Sequence, residues 1–243
     1  AKERELSQLK SNFVSLVSHE FRTPLEIIMS SVDNLHRYHD RLVAEKREQL
    51  LLSIKKAVRR MSGMMEEVLV LGRLEADRMK FEPTPLELGT LCGRLCDEIA
   101  SATGNRCPIN LEMRDLPEHA SGDESLLRHI FTNLLSNAVK YSPAGSPVSF
   151  HVHRAGKIAI CRITDRGCGI PEADQKRLFQ AFYRGSNVEQ IPGTGLGLLI
   201  VQRCVGLHGG EIRLESIEGK GTTFSVALPL FEIHSAYENS YSV

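Results

Sequence analysis

A heptad seam over residues 50–71 limits what this chain can fold into more than any other feature of it. Its apolar positions are Leu50, Ile54, Ala57, Met61, Met64, Val68 and Leu71, with steps alternating between four and three. That spacing draws one narrow stripe along a helix, and the stripe needs a partner helix. A partner lies upstream. Leu6, Leu9, Phe13 and Leu16 form one seam, and Phe21, Leu25, Ile28, Val32 and Leu35 continue it with a one-residue displacement. Pro24 falls where the register changes. Proline lacks a backbone donor and clashes with the carbonyl four residues back, here that of Glu20, so the spacing predicts a kinked helix. The polar stretch 39–47 reads as the turn of a helical hairpin. One hairpin with one seam per helix buries little, whereas two copies form a four-helix bundle. The expectation is a homodimer through residues 1–82.

Phe81-Glu82-Pro83-Thr84-Pro85 breaks the helix and marks a boundary. The expected division is a helical hairpin over 1–82, a second domain over 83–230 and a polar, loosely ordered tail over 231–243. The second domain alternates in type. Helical patterns cover 86–102, 124–141 and 195–207, the second with Asp123 or Ser125 near its cap. Strand patterns cover 109–113, 148–152, 158–165, 211–216 and 222–228. The fold class is therefore α plus α/β. A dimerising antiparallel helical hairpin precedes a two-layer α/β sandwich with a mixed, largely antiparallel sheet.

Composition removes several functions. Lys plus Arg is 30 and Asp plus Glu is 30, so there is no basic excess of the kind a nucleic-acid binder needs. No run approaches 18 apolar residues, so no segment is expected to contact a membrane. Cysteines 92, 96, 107, 161, 168 and 204 form no C-x-x-C pair and lack histidines at zinc-ligand spacing. They read as reduced, mostly buried thiols of a cytoplasmic protein. The start at Ala1, with A-K-E-R-E, suggests part of a longer chain.

Four boxes carry chemistry, and each has a plainer reading. His19 sits on a helix in S-H-E-F-R-T-P-L, residues 18–25. An imidazole is a competent nucleophile at neutral pH, Glu20 is placed to orient the ring or take its proton, and Thr23 lies one turn on. The plain reading is a surface histidine. In N-L-L-S-N-A-V-K-Y, residues 133–141, Asn133, Asn137 and Lys140 share one helix face. Carboxamide oxygens suit Mg²⁺ and a lysine suits phosphate, but so does any polar helix face suit solvent. Asp165 ends a strand before Gly167 and Gly169, which permit close approach to a flat ligand or merely make a turn. Gly193-Thr194-Gly195-Leu196-Gly197 opens a helix. Its amides suit a polyphosphate, and its plain reading is a hinge. The spacing is not the dinucleotide G-x-G-x-x-G, and no G-x-x-x-x-G-K-[ST] exists. Between the last two boxes, F-Q-A-F-Y-R ends at Arg184, which is in reach of a terminal phosphate or of solvent. Residues 185–192 after it read as a mobile lid.

The order of these boxes is far more specific than any one. S-H-E-F-R-T-P-L, N-L-L-S-N-A-V-K-Y-S, D-R-G-C-G-I-P, F-Q-A-F-Y-R-G, G-T-G-L-G-L, L-H-G-G-E-I-R-L-E-S and G-K-G-T-T-F-S-V-A-L-P together resemble the catalytic core of a sensor histidine kinase of two-component systems. The likeness runs from about residue 6 to 230. It implies a dimerising hairpin with a phosphoacceptor histidine, followed by a gyrase-type ATP-binding domain. It further implies ATP and Mg²⁺ as ligands and a response-regulator receiver domain as partner. By motif, His19 matches the phosphorylated residue, Glu20 its base, and Thr23 the residue that helps dephosphorylate the regulator. Asn137 matches the Mg²⁺ ligand. Asn133, Lys140 and Tyr141 match residues at the nucleotide, and Asp165 the adenine reader. The glycines at 167, 169, 193, 195 and 197, with Thr194 and Leu196, match its loops. Arg166 and Cys168 depart from the usual residues there, and neither removes a liganding group. A gyrase-like ATPase would want a glutamate where Asn133 stands.

Overall fold

The computed structural model describes residues 2–38, 41–76, 79–116, 120–188, 191 and 193–231, with side chains described from Val17 on, Glu75 excepted. The upstream seam residues 6–16, part of the hairpin turn, part of the lid and the tail from 232 therefore lie outside the described side chains. Two long helices open the chain, α1 (Lys2–Arg37) and α2 (Ala44–Glu75), packed as a hairpin. The α2 seam faces inward as its spacing predicts, with Ala57, Met64 and Leu71 buried and the other four seam residues half-buried. The α1 seam differs from the expected one. Its covered positions are Val17, Phe21, Pro24, Ile28, Ser31 and Leu35, a continuous four-three pattern, while Leu25 and Val32 are exposed. From Val17 on the register is thus unbroken, with no change at Pro24, and α1 runs on as one helix through it. Leu25 and Val32 belong to a second apolar face. That face also carries Met29, and on α2 it continues through Leu51, Val58, Met65 and Leu69, all exposed.

Strand β1 (Thr84–Leu86), helix α3 (Leu88–Ala102), strands β2 (Ile109–Arg114) and β3 (Ala120–Gly122) and helix α4 (Glu124–Tyr141) follow. Then come β4 (Val148–Ala155), β5 (Ile158–Thr164), a short helix α5 (Glu172–Gln175), α6 (Gly197–Leu207), β6 (Glu211–Ile217) and β7 (Gly221–Leu228). The main sheet runs β2-β4-β5-β7-β6. Only β2–β4 is parallel, with Ile109 opposite Val148; the other pairs are antiparallel. This is the mixed, largely antiparallel sheet expected. Alternate residues face the helices: Val148, Phe150 and Val152 on β4, Ala159, Cys161 and Ile163 on β5, Phe224, Val226 and Leu228 on β7. Against them α4 buries Ile130, Phe131, Leu134, Leu135 and Ala138, and the Phe131 and Phe150 rings meet at 5.4 Å. The outer sheet face stays polar, with Ser149, His151, Arg162, Thr164, Thr223 and Ser225.

Two helix starts move from their expected positions. Leu86 ends β1, not the start of α3, because it pairs with Ala120 of β3. Helix α6 begins at Gly197, not Gly195, because Gly195 takes φ +72° against the Phe182 backbone. Five cysteines are buried and Cys168 is half-buried, all as free thiols. Burial pushes Cys161 up to about 12, so it is a packing thiol.

One junction ties the linker to this layer. Asp123 Oδ1 caps α4 by accepting from Leu126 N at 3.1 Å, while its Oδ2 accepts from Glu82 N at 3.1 Å. Asp123 N donates to Nε2 of His208, the residue that ends α6, at 3.3 Å. The His208 ring also lies 4.9 Å from Phe81.

Candidate functional site

The cleft forms where α4, the end of β5, the segment after α5 and the start of α6 converge. Helix α4 supplies Asn133, Ser136, Asn137, Lys140 and Tyr141 to its lining, and β5 ends at the threshold of Asp165. Asn133 donates to its own helix at His129 O, 2.8 Å away, which leaves its oxygen against Gly197. A Cβ on Gly197 would lie 2.5 Å from that oxygen. The carboxamide of Asn137 makes no hydrogen bond among the described residues, so it is an open oxygen donor on the cleft wall. The ammonium of Lys140 sits over the Tyr141 ring at 4.8 Å and beside Gly193.

Asp165 is buried, and its Oδ1 accepts from Gly167 N at 2.7 Å and Thr222 N at 3.2 Å. Burial raises its pKa, and the two amide bonds pull it back only in part. Gly167 does not line the cleft. It passes behind Asp165, where a Cβ would meet Tyr141 O at 2.5 Å. Gly169 has φ +63°, and a Cβ there would lie 2.0 Å from Ile217 O, so only glycine fits. Leu196 is buried in the core, outside the cleft lining. Gly169, Gly193, Thr194, Gly195 and Gly197 line the cleft themselves.

The described half of the lid is pinned. Buried Asp174 accepts from Tyr183 Oη at 2.6 Å and from Ser186 N and Oγ at 2.8 and 2.9 Å. These bonds, Tyr183 first, hold its carboxyl below the usual range. Arg184 lines the cleft while donating to Val188 O at 2.8 Å and to Ile191 O. Ser186–Val188 forms a 3₁₀ turn between them. Sequence patterns alone missed Asp174 as this anchor, since its partners lie nine and twelve residues on. Missed too are Thr222 and Phe224, which reach the cleft across the sheet, and Glu67, which reaches it from the hairpin.

His19 and Thr23 are exposed on α1 and do not line the cleft. Glu20 is half-buried, paired with Arg60 of α2 at 2.8 Å. A small apolar cavity lies between the two halves of the molecule, lined by Val17, Glu20, Phe21, Met64 and Val68 of the hairpin and by Phe182, Thr194 and Leu196. Among the described residues no cluster of three or more His, Cys, Asp or Glu is placed to hold a metal, and no helix is long and apolar enough to cross a membrane.

Two family models match. Residues 9–77 match the His Kinase A (phospho-acceptor) domain, and residues 122–232 match the histidine kinase-, DNA gyrase B-, and HSP90-like ATPase. The chain is similar to the circadian input-output histidine kinase CikA of Synechococcus elongatus, at 33% identity over 225 residues, covering 90% of this chain and 30% of that protein. It is 32% identical to the sensor protein kinase PmrB of Pseudomonas aeruginosa over 227 residues, covering 93% of this chain and 47% of that one. Among solved structures it resembles full-length ShkA in complex with AMPPNP, at 26% identity and a TM-score of 0.65, over 93% of this chain and 46% of that one. The chain thus spans less than half of each of these proteins.

Proposed function

Since the chain belongs to the sensor histidine kinases, as a catalytic core that matches both a phospho-acceptor and an ATPase domain, we propose that it binds ATP with Mg²⁺ in the α4–α6 cleft and phosphorylates its own His19. The observation that carries this is the pairing, within one cleft, of a buried carboxylate at Asp165 with an amide-rich glycine turn beside Lys140. Asp165 offers its second oxygen to the amino group of adenine. The glycine turn and the start of α6 suit the phosphates. Mg²⁺ fits the donor set, because the Asn137 oxygen is neutral, hard and unengaged among the described residues; bound there, the ion would neutralise phosphate charge.

In the transfer, an imidazole nitrogen of His19 forms a bond to the γ-phosphorus as the bond to the β–γ bridging oxygen breaks, and ADP leaves. The displaced imidazole proton goes to Glu20. In this arrangement Glu20 is held by Arg60 and His19 faces solvent, so the two halves must rearrange before transfer. The linker around Glu82 is the candidate hinge, and we read 1–82 and 83–230 as the moving units. The phosphohistidine then donates to an aspartate of a response-regulator receiver domain. Thr23, exposed one turn from His19, assists the reverse dephosphorylation of that regulator. The second apolar face of the hairpin supports a homodimer, since Met29 and Met65 are 59% and 55% exposed in one copy.

γ-Labelled ATP with Mg²⁺ tests the reading, wild type beside His19→Gln. Acid-labile, base-stable label on wild type alone is the expected result. ATP hydrolysis that survives His19→Gln with no protein label would point to a plain ATPase.

A further inference from the structure

The cleft holds one carboxylate that the phosphoryl transfer above does not use. Glu67 stands on α2, yet it lines the same cleft as Asn133, Asn137 and Lys140. Its carboxylate accepts from the hydroxyl of Thr194 in the glycine turn. Thr194 Oγ1 in turn accepts from Leu196 N at 3.2 Å, which couples the contact to the opening of α6. The Lys140 ammonium is close by, since a Cβ on Gly193, next to Thr194, would lie 2.7 Å from Nζ. Glu67 is half-buried. Burial raises its pKa, while the Thr194 bond and then the Lys140 charge lower it. A carboxyl group of the chain itself thus lies where a helix start, turn amides and an ammonium converge. Those groups suit the terminal phosphates of a nucleotide.

We propose that Glu67 competes with the terminal phosphate for this end of the cleft, holding α2 against the glycine turn until ATP displaces it. The inference rests on the ATP-site reading above. Two anions cannot share Lys140 in a half-buried cleft without mutual repulsion, worth about tenfold in affinity at this depth. ADP, one phosphate shorter, leaves Glu67 in place. Hence ATP, and not ADP, separates the hairpin from the nucleotide domain, and Glu67 sets the difference in affinity between them.

The test is calorimetric titration of the whole chain with ATP and with ADP, in Mg²⁺ and in EDTA, for wild type, Glu67→Gln and Glu67→Ala. Glu67→Gln keeps the shape and removes the charge, and circular dichroism of both variants checks folding. The expected result is ATP binding about tenfold tighter in both variants, with ADP changed less than about twofold. Equal ATP affinities in all three would overturn the inference and leave Glu67 a packing contact. Weaker ATP binding in the variants, seen only with Mg²⁺, would overturn it by making Glu67 a cation ligand beside Asn137. Failure of every protein to bind either nucleotide would remove the ATP-site reading, and the inference with it.

Discussion

Asp165→Asn is expected to separate nucleotide binding from folding. The Oδ1 of Asp165 accepts from the amides of Gly167 and Thr222, and an asparagine oxygen in the same rotamer accepts from both. A bond to a charged acceptor is worth about 1.5–3 kcal/mol and to a neutral one about 0.5–1.5, so two bonds lose about 2–3 kcal/mol together. Desolvation opposes that loss, and it is the larger effect, because the pKa of Asp165 is raised in spite of both bonds. The sign follows from linkage. A carboxyl whose pKa is higher folded than unfolded contributes stability below the unfolded value of 3.8, and that contribution is lost as pH rises through the folded value. At neutral pH the ionised group is thus a net cost to the fold, and asparagine does not carry it. The melting temperature is therefore expected to hold or to rise by a few degrees, at about 2–4 °C per kcal/mol for a chain of this size. Binding behaves otherwise. An amide turned toward the amino group of adenine sets donor against donor, which costs about 2–4 kcal/mol, or about 30- to 1000-fold in ATP affinity. Thermal melts and ATP calorimetry on one preparation measure both. A fall of more than about 6 °C would mean that the charge is structural, and an affinity within about threefold would mean that Asp165 does not read the base.

Val58→Glu with Met65→Glu, both on the second apolar face, is expected to leave the chain folded and to halve its mass in sedimentation equilibrium, as the proposed homodimer requires; a mass equal to that of wild type would refute that face as the dimer contact. Gly169→Ala puts a side chain on a φ of +63° and into Ile217 O, and is expected to destabilise by about 2–4 kcal/mol in urea unfolding, whereas an unaltered midpoint would mean that the turn yields freely. Burial lowers the pKa of His208, so its contribution to stability is complete above the unfolded value of 6.5 and is lost as pH falls toward the folded value. That loss amounts to about 1.4 kcal/mol per unit of difference. His129 is lowered by burial too, so His208→Gln is expected to flatten the melting curve against pH below 6.5 in part, and a curve identical to wild type would refute the assignment.

Periodicity carried most of the fold. The α2 seam and the period-two strands were legible because burial alone decides which of their faces turns inward. The α1 seam was not, because that helix has two apolar faces and local spacing cannot say which one the chain itself covers. Strands β1 and β3 escaped notice for a related reason. They are three residues each, and Leu86 becomes a strand residue only because Ala120 meets it. At the cleft, the residues that lie together in sequence were legible as boxes, from Asn133 to Tyr141 and from Gly193 to Gly197. Glu67 carried no signal, since it sits in an ordinary helical stretch and reaches the cleft only through interdomain packing. Leu196 was grouped with the glycines by position, but its apolar side chain follows burial into the core.

The junction of Glu82, Asp123 and His208 makes α4 a lever. It fastens the linker to the N-cap of that helix and to the C-cap of α6, the two helices whose other reaches form the cleft. Asn137 lies fourteen residues beyond Asp123, which is about 21 Å along the helix at about 1.5 Å per residue. A tilt of about 10° at the Asp123 fulcrum therefore swings Asn137 by about 4 Å, more than the length of a hydrogen bond. Were the hairpin to pull on the single backbone amide of Glu82, a tilt of that size would carry the Asn137 oxygen away from the position proposed for Mg²⁺. On the proposed function, a pull on the linker would thus reach the nucleotide site without any contact to the nucleotide.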